Sequence, residues 1–91
     1  MIPIAIIDPE TILKESDSKY FLILLVPPDG RPCMYTGSGF DVYGVSGEFI
    51  GPIDIKAFSR EGLSKQYENA LEITRRARME GSLKIIEIPI T

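Results

Sequence analysis

The sequence predicts a two-layer α+β domain: a mainly antiparallel sheet of about five to six strands with one long helix packed across one face. Three observations carry that prediction. Residues 20–26, YFLILLV, are apolar on both faces, the pattern of a strand in the middle of a sheet. Residues 59–80 carry Leu63, Tyr67, Ala70, Leu71, Thr74 and Ala77 at the spacing of a single helical stripe. Residues 35–51, YTGSGFDVYGVSGEFIG, hold five of the chain's eight glycines among alternating apolar positions, as hairpin strands and their bends do.

Each element follows from local chemistry. Residues 2–7, IPIAII, are β-branched and apolar throughout and read as a buried strand, with Pro3 at its start because proline cannot donate to a ladder. Asp8-Pro9-Glu10 reads as a helix start: Asp caps, Pro takes the first helical position, and an acid sits in the first turn. That short helix spans roughly residues 9–16, anchored by Ile12 and Leu13. After strand 20–26, Pro27-Pro28-Asp29-Gly30 turns the chain, and CMYT, residues 33–36, returns as its hairpin partner.

Phe40 and Val42 alternate with Asp41 and Tyr43, so the first pair faces the core. Ser46-Gly47 is the expected two-residue turn, and Phe49 to Ala57 the strand beyond it, with Pro52 placing it at an edge or a bulge. Ser59 is the expected N-cap of the long helix, with Gly62 delaying its first regular turn and Gly81 ending it in the left-handed conformation. Residues 83–90, LKIIEIPI, form the last strand, with Ile86, Ile88 and Ile90 on one face. A β-α-β-β-α-β ferredoxin-like arrangement with an added hairpin is the first specific topology to test, although the short first helix counts against it.

Composition bounds the function. The chain's 91 residues make one domain, 1–91. The N-terminal stretch has no basic segment and no small-residue cleavage site, so it reads as a strand and the expected location is cytoplasmic. The single cysteine, Cys33, leaves no internal disulfide. Histidine is absent, which removes the commonest general base and the commonest metal ligand. Fourteen isoleucines with one Gln and one Asn resemble a thermophile composition. The net charge of −3 argues against binding a phosphate backbone. The charge is uneven, because residues 59–80 carry five basic and four acidic side chains.

Four candidate sites follow. The glycine window resembles a phosphate cradle only in part. Gly37 and Gly39 start a dinucleotide fingerprint, but its third glycine position is Val42. Gly39 and Gly44 have P-loop spacing with Ser46 on the hydroxyl position, but Val45 stands where the phosphate-binding lysine belongs. A strand follows where both motifs require a helix, so hairpin geometry is the better reading. A ligand held there would meet Gly37, Ser38, Gly39, Asp41 and Tyr43.

Arg75, Arg76 and Arg78 form a basic cluster that could meet nucleic acid or an acidic partner. Cations at a helix C-terminus and the i,i+4 pairs Glu72–Arg76 and Glu61–Lys65 account for it better; Arg78 falls toward the core side. Asp41, Glu48 and Asp54 do not converge as an acid/base pair across the expected hairpin. Cys33 has only Arg31 nearby to activate it. No cofactor or metal site is read from the sequence.

The thin catalytic inventory leans away from an enzyme. The expectation is a small non-enzymatic binding or assembly module, acting as a homodimer through Ile-rich strands whose apolar faces exceed what one helix covers. The alternatives are a small-ligand-binding domain or small enzyme using the glycine-rich hairpin 37–47, and nucleic-acid binding through Arg75–Arg78.

Overall fold

A computed structural model describes residues 6–28, 32–42 and 57–88. Along them run α1 (Pro9–Glu15), β1 (Tyr20–Val26), β2 (Cys33–Tyr35), β3 (Phe40–Val42), β4 (Phe58–Ser59), α2 (Arg60–Arg76) and β5 (Ser82–Ile88). The class is α+β, and every described strand pair is antiparallel. The described strand order, β3-β2-β1-β4 with β5 also paired to β1, does not establish the ferredoxin-like arrangement. The expected strand 2–7, the turn at Ser46-Gly47 and the strand from Phe49 fall wholly or mostly outside the described residues.

The doubly apolar strand lies at the centre. β5 pairs with β1 along its whole length, from Tyr20↔Ile88 to Val26↔Ser82. A strand has two edges, so β2 and β4 share the other: β2 lies opposite Leu24 and Leu25, β4 opposite Tyr20 and Phe21. β3 extends the sheet beyond β2.

Strand alternation then sorts side chains between two faces. Phe21, Ile23 and Leu25 point toward α2, and the register brings Cys33, Tyr35, Phe58, Leu83 and Ile85 to the same side. α2 answers with Leu63, Tyr67, Ala70 and Thr74, its four buried residues. The resulting core is Phe21, Ile23, Leu25, Tyr35, Phe58, Leu63, Tyr67, Ala70 and Leu83. Tyr35 is its aromatic hub, with ring centroids 5.4 Å from Phe40 and 5.7 Å from Phe58. Each large apolar side chain buried here contributes about 1.5–3 kcal/mol.

The helix starts match their sequence signals. Asp8 caps α1: its carboxylate accepts the Glu10 N–H at 3.0 Å and the Thr11 hydroxyl at 3.4 Å, with Pro9 opening the helix. Gly62 does not delay α2, which begins at Arg60 with Ser59 at the N-cap position and no side-chain cap bond.

The end of α2 differs from expectation. It stops at Arg76, and the left-handed residue that closes it is Arg78, at φ 53°, instead of Gly81. Arg78 donates its N–H to the Arg75 carbonyl at 3.2 Å and Met79 donates to the Thr74 carbonyl at 2.9 Å. These two bonds are the Schellman pair, and they satisfy carbonyls the helix itself leaves open. Met79 and Ile73 pack against the core beside them, supplying the apolar contact that accompanies this motif.

Candidate functional site

The expected ligand-contacting glycines lie in the connection between β2 and β3. Tyr35 faces Phe40 in the register, which leaves Gly37-Ser38 as a two-residue connection inside the Thr36–Gly39 pair. Gly37 takes φ 102°, a region glycine adopts without a Cβ penalty. The Gly39 carbonyl accepts the Thr36 N–H at 2.8 Å and the Thr36 hydroxyl at 3.1 Å. The Gly37 carbonyl accepts the Tyr35 hydroxyl at 2.9 Å. The hairpin therefore uses both glycine carbonyls itself. Asp41 follows in β3, opposite Met34. Tyr43 lies outside the described residues.

The arginine cluster is spread over the end of α2. Arg76 donates from Nε to Glu72 at 3.1 Å, an exposed i,i+4 pair of small energetic weight. The companion pair Glu61–Lys65 does not form among the described residues. Arg75 and Arg78 are exposed. Arg78 does not turn to the core side, because the left-handed residue takes the chain out of the helical register. Its place is set by helix termination.

Two polar anchors were not read from the sequence. Arg60 opens α2, where the macrodipole disfavours a cation, yet it ties the other helix down. Its guanidinium donates to the carbonyls of Leu13, Ser16 and Ser18 across 42 to 47 residues of chain. These carbonyls lie at and just past the end of α1, where four groups lack helical partners. The Arg60 N–H adds a bond to the Lys19 carbonyl at 3.1 Å.

Tyr67, expected only as an apolar face residue, is the second anchor. Its ring is buried, and its hydroxyl accepts the Ile7 N–H at 3.0 Å while donating to the Leu83 carbonyl at 3.1 Å. One phenol thus links the N-terminal segment, α2 and β5. Burial raises its pKa above the ordinary 10.0, and the Ile7 hydrogen bond partly opposes that rise.

That link shapes a cleft of about 950 Å³ between residues 6–10 and α2. Its apolar lining comes from Ile6, Ile7, Pro9, Tyr67 and Leu71. Its polar lining comes from Asp8, Glu10, Ser64, Lys65 and Glu68. The Ser64 hydroxyl donates to the Glu10 carboxylate at 2.7 Å, a second tie between the walls. Among the described residues no group of His, Cys, Asp or Glu is placed to hold a metal ion, and no helix is long and apolar enough to cross a membrane. One signal for the cleft is present in the sequence: an amphipathic Ile-Ile-Asp-Pro-Glu segment sixty residues upstream of Tyr67. Only the fold brings the two together.

Comparisons with protein-family models, with characterised proteins and with solved structures give no match to this chain.

Proposed function

We propose that the chain is a non-enzymatic binding or assembly module that pairs with a second copy through the sheet face turned away from α2. One observation carries the reading. The β1–β5 register puts Tyr20, Leu22, Leu24, Ile86 and Ile88 on that face; Leu22 and the neighbouring Met34 are buried there, and Tyr20 and Ile86 remain 51% and 40% exposed. Large apolar side chains clustered on a sheet face mark a contact surface more often than an isolated exposed residue does. A stable pair buries about 800 Å² per partner. The two-fold arrangement makes the same patch serve both copies.

Sedimentation and light scattering at tens of micromolar test the pairing. The expected result is a dimer, with Ile86→Lys and Tyr20→Lys shifting it to monomer while the circular dichroism spectrum is retained. A monomer for the unaltered protein defeats the reading, as does a dimer indifferent to both substitutions.

A further inference from the structure

We infer that the cleft between residues 6–10 and α2 binds a small organic cation: an ammonium group carried on an apolar alkyl or aryl body. Shape, lining and charge together support this, and none of the lining residues belongs to the proposed pairing face.

The volume, about 950 Å³, falls within the range of about 300–1,000 Å³ typical of small-molecule sites. The walls are held in place before any ligand arrives. Tyr67 fixes the backbone of Ile7 from below, and Glu10 meets Ser64 across the cleft. Preformed walls spare a ligand the cost of ordering them. Ile6 and Ile7 remain 54% and 39% exposed although both line the cleft, so an apolar body entering it gains by covering them.

Charge selects the head group. Among the described residues, Asp8, Glu10 and Glu68 line the cleft against one cation, Lys65. Asp8 and Glu10 each accept hydrogen bonds within the chain, but a carboxylate has about four acceptor sites, so both keep capacity for an ammonium donor. Glu68 makes no ion pair among the described residues. A carboxylate or phosphate on the ligand would meet three like charges, whereas an ammonium is complementary to all three.

Phenylbutylamine and phenylbutyrate test this directly, because they share one apolar body and differ in the charged group. Each is titrated into the full chain at low salt while backbone amide resonances are followed by NMR. The expected result is saturable shifts at Ile7, Ser64, Glu68 and Leu71 with the amine, and affinity for the acid weaker by about tenfold or more. Glu68→Lys, at an exposed position that leaves the core intact, weakens the amine by roughly three- to tenfold. Ile86→Lys leaves amine binding unchanged, which separates this site from the pairing surface. The inference fails if neither compound binds at millimolar concentration, if both bind equally, if Glu68→Lys has no effect, or if the shifts fall at Tyr20 and Ile86.

Discussion

Gly81 lies so close to the end of β1 that a Cβ on it would stand 2.2 Å from the Val26 carbonyl oxygen and 2.7 Å from the Pro27 Cα. Both are backbone atoms, one of the last residue of β1 and one of the residue that follows it, so neither can swing aside as a side chain would. Gly81 also takes φ 129°, a conformation that L side chains rarely adopt. Gly81→Ala therefore meets backbone strain and a collision together. It should destabilise the fold by about 2–4 kcal/mol, read as a lower urea midpoint with an unchanged slope.

Arg78 presents the opposite case. It is the left-handed residue that closes α2, and a side chain there costs about 1 kcal/mol that glycine avoids. Arg78 is exposed, so little packing is lost on removing it. Arg78→Gly should raise stability by about 0.5–1 kcal/mol, seen as an increase of a few degrees in Tm. A fall in Tm would show that the arginine side chain contributes more than the backbone conformation costs.

These two positions show why some of the fold was legible and some was not. Gly81 looked like the helix stop because glycine is the usual left-handed residue after a helix. The chain instead spends its glycine where the backbone of β1 leaves no room, and that contact exists only once β5 is paired. The stripe on α2 was legible because periodicity is local: Leu63, Tyr67, Ala70 and Thr74 follow from spacing alone. The stripe broke down at Ala77, which caps the helix and is exposed. The Asp8 cap was legible for the same local reason, since its donors lie two and three residues away. Arg60 was not, because its partners are distant backbone carbonyls, which carry no residue-type signature. The cleft was hidden likewise, since its two walls are joined by a hydroxyl bond between residues 7 and 67. In the glycine window the described turn is at Gly37-Ser38, which uses the Gly37 and Gly39 carbonyls, and the expected turn at Ser46-Gly47 lies outside the described residues.

Arg60→Ala should loosen the junction of the two helices. The substitution leaves three carbonyl contacts near the end of α1 without their charged donor, at a half-buried position. Hydrogen bonds from charged groups each contribute about 1.5–3 kcal/mol, but water reaches part of this site, so a loss of about 2 kcal/mol is expected. Arg60→Lys should recover less than half of it, because an ammonium cannot reproduce the planar fork that reaches Leu13, Ser16 and Ser18 at once. Hydrogen exchange should quicken first at α1 amides in both variants. Equal stability for the lysine and arginine forms would assign the effect to charge instead of geometry.

Tyr67→Phe removes the hydroxyl that joins Ile7 to Leu83 and keeps the ring that packs under α2. A part-buried donor and a buried acceptor lose their partner, so a destabilisation of about 1–3 kcal/mol is expected. Its pH dependence distinguishes this loss from simple repacking. Burial holds the Tyr67 phenol above 10.0 in the folded chain, so the folded state keeps its proton where the unfolded state has begun to lose it. The stabilisation is complete below the ordinary tyrosine pKa and declines as pH rises through the higher folded value. Tyr35, also raised by burial, adds to the same alkaline decline. Urea midpoints across the alkaline range should therefore fall with pH in the unaltered protein. In Tyr67→Phe the curve should start lower and fall less steeply, with the Tyr35 contribution remaining. Parallel curves for the two proteins would mean that Tyr67 ionises alike in the folded and unfolded chains, and that its hydroxyl is not held between Ile7 and Leu83.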